Sequence, residues 1–188
     1  MQADNENFAA KMRRFAEFNE QLELAAERAA VDSLTGLASR AIGEAYLGAQ
    51  LKNRTVLSVI WIDLDCFKQI NYRWGHACGD EILRNVARDL SDGTLNFRLL
   101  CRWNADKFLV ASHSAPAVVE EEAARIRELV CKRYTLISDG SPVEVDVSAS
   151  VSVATWNGAE SLPELIERAE TELQRNRNAF ATISDSNG

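Results

Sequence analysis

The chain has 188 residues, which corresponds to one domain of about 150 residues with an extension. Its 28 acidic residues exceed the 21 basic ones, and the formal charge of −7 argues against DNA or RNA as a partner. A small anion held through a metal ion remains compatible with that charge. No apolar run approaches the roughly 20 residues of a membrane span, and no signal peptide opens the chain. The four cysteines lack zinc-binding spacing, so we expect reduced thiols in a cytoplasmic protein.

The first 31 residues have the pattern of one amphipathic helix. Apolar side chains recur at spacings of three, four and seven residues, at Phe8, Met12, Phe15, Leu22, Ala25 and Ala29. A narrow apolar stripe of this kind pairs with a second copy or packs against its own domain. We favour pairing with a second copy, so the sequence predicts a homodimer formed through this helix.

Beyond a turn over 32–36, helical and strand patterns alternate. Helices are predicted over 40–52, 66–73, 79–91, 115–133 and 162–178, and strands over 55–62, 97–103, 108–112, 134–137 and 143–153. The strand over 55–62 is apolar on both faces and is predicted to be central. This order predicts an α+β domain over 32–182, with helices flanking a mostly antiparallel sheet, and a flexible tail over 183–188.

Carboxylates stand at the end of the central strand and in a later hairpin turn. Asp63 and Asp65 lie two residues apart, where a strand would place them on one face, and Asp106 lies in the turn. Such carboxylates, with a backbone carbonyl between them, suit a hard cation such as Mg²⁺. In the simpler interpretation Asp65 caps the next helix and Asp63 is a solvated strand end, and spacing alone favours it.

Three polar residues follow the central strand. Lys68 lies where it can reach an anion at the start of the next helix. Asn71 and Asp80 stand on either side of the loop over 75–79, and an amide with a carboxylate can bind the edge of a guanine. The alternatives are a surface lysine and two side chains that cap the loop.

Two stretches resemble a known family. Residues 32–40, Asp-Ser-Leu-Thr-Gly-Leu-Ala-Ser-Arg, resemble the DxLTGLxNR opening of GGDEF domains, the bacterial diguanylate cyclases of cyclic di-GMP signalling. Residues 63–71 and 75–80 resemble that family's DxDxFKxIND and GHxxGD motifs, and the resemblance covers about residues 32–180. It implies a palm-like sheet related to nucleotidyl cyclases. It also implies condensation of two GTP molecules into cyclic di-GMP by an antiparallel dimer, with the helix over 1–31 coupled to an upstream sensor of unknown identity.

The resemblance also implies roles for individual residues. The positions that match the family's magnesium ligands are Asp63, the Leu64 carbonyl and Asp106. The positions that match its nucleotide-binding residues are Lys68, Asn71, Asp80 and Arg177. The catalytic positions are those of Asp63, Asp106 and Lys107, the last with an altered residue. The expected ligands are therefore GTP or another guanine nucleotide, with Mg²⁺ (or Mn²⁺) when nucleotide is bound.

The signature turn departs from the family pattern. Asn104, Ala105, Asp106, Lys107 and Phe108 stand where the family has Gly-Gly-Asp/Glu-Glu-Phe. Asp106 keeps the acidic third position, but both glycines are lost, and Ala105 would be strained by about 1–3 kcal/mol in a turn that kept a positive φ. Lys107 replaces the glutamate and inverts its charge. It either pairs with Asp106 in competition with magnesium or binds phosphate itself.

These changes favour a degenerate GGDEF domain that keeps a GTP and magnesium pocket but has little or no cyclase activity, and that serves as a regulatory or dimerisation module. The alternative is an active diguanylate cyclase that tolerates a variant turn. A third possibility is a structural interaction domain that binds no nucleotide. The family's inhibitory RxxD is replaced by Leu95-Asn96-Phe97-Arg98, so product feedback at that position is not expected.

Overall fold

The structure is a computed structural model that describes residues 30–93, 97–138 and 140–185, with side chains as far as residue 177. The helix predicted over 1–31 lies outside these ranges except for its last two residues, and Leu95 and Asn96 also lie outside them. Across the described ranges, each helix is too short or too polar to cross a membrane.

A five-stranded sheet forms the centre of the domain. Its strands, in spatial order, are β1 (Ala38–Ser39), β3 (Leu99–Asn104), β4 (Lys107–Ser112), β2 (Ser58–Leu64) and β7 (Ala149–Thr155). Strand β1 runs parallel to β3, and every other neighbouring pair is antiparallel. A separate hairpin consists of β5 (Lys132–Ser138) and β6 (Ser141–Val147). The predicted α+β fold with a mostly antiparallel sheet is confirmed.

Helices cover both faces of the sheet. They are α1 (Arg40–Lys52), α2 (Phe67–Gly93), α3 (Pro116–Val130) and α4 (Leu162–Asp185). Alternate residues of β2 enter two separate hydrophobic cores: Ile60 and Ile62 pack with α2 and α3, and Val59 and Trp61 pack with α1 and α4. Because β2 is buried on both faces and lies between β4 and β7, its predicted central position is confirmed.

The strand predicted over 143–153 is two strands. Strand β6 ends at Val147 and pairs with β5, whereas β7 begins at Ala149 and pairs with β2. The break falls at Ser148, whose carbonyl accepts a hydrogen bond from the Asp65 amide (2.9 Å). The alternation of valine and polar residues continues through the break, so it predicts extended backbone but not a change of partner strand.

Helix α4 is longer than predicted. It runs to Asp185 instead of ending at 178, and it includes the first residues of the tail predicted over 183–188. No glycine or proline occurs between 178 and 185 to stop a helix, which explains the extension. Residues 186–188 lie outside the described part of the chain.

Candidate functional site

The candidate site lies at the end of β2, where the strands on both sides contribute a side chain. Asp63 is the cross-strand partner of Lys107 on β4 and of Ser150 on β7. Cross-strand partners stand about 5 Å apart on one face of a sheet, so these three side chains form a row. Asp63 is only 5% exposed. The expectation that it is a solvated strand end is therefore wrong.

Two cations contact the buried Asp63 carboxylate. Lys107 Nζ lies 3.8 Å from Asp63 Oδ2 and 3.5 Å from Oε1 of Glu170 on α4. Arg177 Nη2, also on α4, lies 3.2 Å from Asp63 Oδ2 and 3.0 Å from Asp65 Oδ1. These Nη2 contacts are ion pairs by distance, although neither has the direction of a hydrogen bond. The charge of Asp63 is thus balanced by side chains of this chain.

Asp65 holds Arg177 in place. Its Oδ1 atom accepts hydrogen bonds from Arg177 Nε (3.1 Å) and from the Ser150 hydroxyl (2.7 Å). In the first turn of α2, the Gln69 amide bonds to the Cys66 carbonyl (2.8 Å). The carboxylate of Asp65 is therefore directed to Arg177 and Ser150 instead of capping α2.

The electrostatic environment of Asp63 combines burial with charges of both signs. Burial raises its pKa, the Arg177 and Lys107 cations lower it, the Asp106 carboxylate raises it, and the net shift is upward from the usual value. The two cations therefore reduce the cost of burying this charge without cancelling it.

The signature turn is a tight hairpin between β3 and β4. Asn104 pairs with Lys107 across it, and Phe108 is fully buried in the core against α2. Asn104 Oδ1 accepts a hydrogen bond from the Ala105 amide (2.8 Å). Neither Asn104 nor Ala105 has a positive φ. The strain expected at Ala105 is consequently absent, because the turn does not use the conformation that would require glycine.

Arg102 connects the signature turn to the opening motif. Its Nε and Nη2 atoms donate to the Ala105 carbonyl (3.1 and 2.6 Å), and its Nη1 atom donates to Asp32 Oδ1 (3.1 Å). The same Asp32 oxygen accepts from the amide and hydroxyl of Thr35 (2.9 and 2.7 Å). Burial alone would raise the pKa of Asp32, but the hydrogen bonds from Thr35 and Arg102 outweigh it and lower the pKa. Arg102 therefore links the signature turn to Asp32, which lies about 70 residues earlier in the chain.

A kink in α2 brings the predicted guanine-binding residues together. Gly75 has φ 82° and ψ 160°, a conformation that glycine adopts readily, and it separates the two helices predicted over 66–73 and 79–91. Asn71 packs on Gly79 so closely that a Cβ atom there would overlap Asn71 Oδ1. Asn71 therefore lies beside the residue that precedes Asp80.

A groove also opens beside α2, and its lining includes neither Asn71 nor Asp80. It has a volume of about 410 Å³ and lies between the first half of α2 and β6, lined by Asp65, Cys66, Gln69, Ile70, Trp74 and Ser148. Lys68 is exposed in the first turn of α2 and makes no ion pair with the described part of the chain. The structure thus brings together Asp63, Asp65, Lys107 and Arg177.

The oxygen donors expected to hold a metal ion are of the right chemical type. Mg²⁺ requires a near-octahedral set of oxygens at about 2.0–2.1 Å, which carboxylates and a carbonyl can supply. However, Asp63 is engaged by Lys107 and Arg177. A divalent ion at Asp63, the Leu64 carbonyl and Asp106 would therefore have to displace Lys107 and Arg177 from the Asp63 carboxylate.

Sequence reasoning missed two residues of this site. Ser150 is one of the polar residues that alternate with valine over 143–153, and Glu170 lies in a helix without a recognisable motif, so neither position indicates a site by itself. The available signal for Glu170 is its position seven residues before Arg177, which places both on one face of a helix. The ion pairs of Lys107 in the described part of the chain are with Asp63 and Glu170 instead of Asp106, and they leave phosphate binding by Lys107 a prediction.

Comparison with known proteins agrees with this architecture. The sequence model of the family described as "Diguanylate cyclase, GGDEF domain" matches residues 29–181. The chain belongs to this GGDEF family. Within the GGDEF domain the signature hairpin is β3–β4, and the opening motif leads into β1 and α1.

Individual proteins of the family are also similar to this chain in sequence. The GGDEF domain is 32% identical to Diguanylate cyclase A of Treponema denticola over 139 residues, covering 72% of this chain and 37% of that protein. It is 33% identical to the response regulator PleD of Caulobacter vibrioides over 161 residues, covering 79% of this chain and 34% of PleD. The chain therefore spans about a third of the length of these relatives.

A solved structure has the same fold. The crystal structure of the GGDEF domain of DgcB from Caulobacter crescentus, in complex with c-di-GMP, superposes with a TM-score of 0.72 at 25% identity. The alignment covers 80% of this chain and 89% of that one.

Proposed function

We propose that this chain is a degenerate GGDEF domain of cyclic di-GMP signalling, which binds a guanine nucleotide and acts as a regulatory or dimerisation module with little or no cyclase activity. The observation that carries the proposal is the contact of Lys107 with Asp63 (3.8 Å). Joining two GTP molecules concentrates negative charge that enzymes of this kind neutralise with metal ions on acidic side chains. In this chain Asp63, the acidic side chain at the end of β2, is already paired with Lys107.

The positions of Asn71 and Asp80 support guanine-nucleotide binding. Asn71 packs beside the residue that precedes Asp80, which suits an amide and a carboxylate that bind one base edge together. A relative with the same fold has been crystallised with a guanine dinucleotide, c-di-GMP. Magnesium or manganese at Asp63 and Asp106, which the resemblance implies, is not part of this proposal.

A second candidate function is an active diguanylate cyclase with a variant turn. The observation in its favour is that Asn104 and Ala105 adopt the hairpin without a positive φ, so loss of the glycines does not distort the turn. Asp106 also keeps the acidic third position of the signature. The two candidates differ in whether Lys107 prevents the reaction.

The deciding experiment measures cyclic di-GMP by mass spectrometry after incubation of the full chain with GTP and MgCl₂. We expect little or no product from the wild type, and at least about tenfold more from the variant with Asn104→Gly, Ala105→Gly and Lys107→Glu, equivalent to about 1.4 kcal/mol of barrier. The variant with only Asn104→Gly and Ala105→Gly is the matched control and should stay inactive. Robust synthesis by the wild type would overturn the proposal, and absence of GTP binding in calorimetry would favour a purely structural module.

The proposed module is a cytoplasmic homodimer. The apolar stripe over 1–31 supports pairing through the N-terminal helix, and an upstream sensor or partner protein would act through it. Light scattering of the full chain should give the mass of a dimer, and removal of residues 1–29 should shift it toward the monomer. A monomeric full chain would contradict this part of the proposal.

A further inference from the structure

We propose that Lys107 and Arg177 take the place of a divalent cation at this site, so that the chain binds the triphosphate of a guanine nucleotide directly and without a metal ion. This inference rests on the proposed function, since it assumes that a guanine nucleotide binds. It departs from the metal-bridged binding expected from the resemblance.

The charges around Asp63 support the replacement of a divalent cation by side-chain cations. Lys107 and Arg177 contact Asp63 and Asp65 at distances of 3.0 to 3.8 Å. With Glu170, which pairs with Lys107, and Asp106, which acts on Asp63, four carboxylates face two cations, a net charge of −2. In the family pattern the position of Lys107 carries a glutamate, so this one residue changes the local charge by two units, which is the charge of one divalent ion. Carboxylates that are already paired attract a metal ion less, and Mg²⁺ gives up its hydration water reluctantly. Without a metal ion the cluster therefore has the net charge that it would have with a glutamate at position 107 and one bound divalent ion.

The two cations are held at the site by contacts within the chain. Lys107 lies between Asp63 and Glu170, and its β4 position opposite Asp63 fixes where its side chain starts. Arg177 is oriented by its Nε hydrogen bonds to Asp65 (3.1 Å) and to Ser150 (3.3 Å). Side chains fixed in this way lose little further freedom when an anion binds.

Both cations keep donors for phosphate oxygens. The ammonium of Lys107 has three donors, and its contacts of 3.8 and 3.5 Å are longer than tight ion pairs. The guanidinium of Arg177 has five N–H donors, and its Nη1 atom makes no hydrogen bond with the described part of the chain. The Lys107 side chain is 25% exposed and that of Arg177 35%, so a phosphate can approach both.

The test compares GTP binding with and without metal. Isothermal titration calorimetry of the full chain with GTP is done in excess EDTA and in excess MgCl₂. We expect the two dissociation constants to agree within about threefold. As a second readout, titration of the nucleotide-free chain with MnCl₂, followed by electron paramagnetic resonance of free Mn²⁺, should show no binding at the site.

Charge-reversal variants sharpen the test. Lys107→Glu should make GTP binding at least about tenfold weaker in EDTA than in MgCl₂ and should create a Mn²⁺ site. Lys52→Glu, the same change at an exposed position at the end of α1, is the matched control and should behave as the wild type. If Lys107→Glu does not fold, as judged by circular dichroism, Lys107→Gln should still weaken GTP binding in EDTA.

The outcomes separate this inference from the proposed function. Equal GTP affinity in both buffers, without a Mn²⁺ site, supports the inference. GTP binding by the wild type in MgCl₂ only would overturn it and leave the proposed function intact. Absence of GTP binding in both buffers would overturn the proposed function, and the inference with it.

Discussion

Asp63 and Lys107 are directly opposed across strands β2 and β4, and the lysine ammonium lies 3.8 Å from the buried carboxylate. A strand pair fixes the starting points of two opposed side chains, so this contact is a property of the sheet and does not depend on a flexible loop. A residue change at position 107 therefore acts directly on Asp63, which is buried.

The packing of Asn71 on Gly79 makes a first prediction. Gly79→Ala would place a methyl group against Asn71 Oδ1 and displace that side chain, so GTP affinity should fall by at least about tenfold while the helix remains folded. Calorimetry measures the affinity, and circular dichroism the folding. The control is Gly48→Ala in α1, where a methyl group meets no atom within 4 Å. Unchanged GTP binding by Gly79→Ala would show that Asn71 does not contact the nucleotide.

The hydrogen bonds of Arg102 make a second prediction. Arg102→Lys keeps the charge but loses the fork that bonds the Ala105 carbonyl and Asp32, so the free energy of unfolding should fall by about 1–2 kcal/mol. Urea unfolding measures the loss. Arg84→Lys, at an exposed position on α2, should change the free energy of unfolding by less than about 0.5 kcal/mol. Equal effects of the two substitutions would mean that Arg102 does not stabilise the turn.

Asp32 makes a prediction about pH. The hydrogen bonds of Thr35 and Arg102 hold its pKa below the usual value, so the ionised form stabilises the fold at neutral pH. This stability is present above the unfolded pKa of about 3.9 and is lost as the pH falls through the lower pKa of the folded state. The wild type should therefore exceed Asp32→Asn in melting temperature at pH 7, by a margin that shrinks below about pH 4. Glu128→Gln, an exposed carboxylate on α3, is the control, and a margin independent of pH would contradict the assignment.

The cysteines allow a probe of the nucleotide position. Cys66 is exposed beside Asp65, whereas Cys78 and Cys101 are buried, and burial raises the pKa of Cys101 to about 12. A thiol reagent should modify Cys66 first, since modification needs an accessible thiolate, and Cys66→Ser should remove this fast phase. Saturating GTP should slow the modification of Cys66 by at least about tenfold, because Cys66 follows Asp65, which contacts the Arg177 guanidinium proposed to bind the phosphates (3.0 Å). An unchanged rate would place the nucleotide elsewhere.

Much of the fold follows from local patterns in the sequence. The doubly apolar run that contains Ile60 and Trp61 predicts a central strand, and the observed α1 has the predicted bounds, Arg40–Lys52. The hairpin around Ala105 is also a local property, because a short polar segment joins two apolar runs. These features depend on residues that are close together in the sequence.

The site depends on contacts that local patterns do not encode. Arg177 lies 112 residues after Asp65, and only the packing of α4 on the sheet brings the two together. The partner of Lys107 depends on strand register, which places it opposite Asp63, so that it pairs with Asp63 instead of its neighbour in sequence, Asp106. The break between β6 and β7 also involves a residue that is distant in sequence, because the Ser148 carbonyl accepts a hydrogen bond from the Asp65 amide. For this reason the sequence predicted the acidic residues but left the role of Lys107 open.

The most direct test of the central claim, that side-chain cations hold Asp63 in place of a metal ion, is anomalous diffraction from crystals of the full chain grown with GTP and MnCl₂. We predict no manganese peak at Asp63, with the Lys107 ammonium and the Arg177 guanidinium in contact with its carboxylate. A manganese peak within about 2.2 Å of oxygens of Asp63 and Asp106, with Lys107 turned away, would contradict the account.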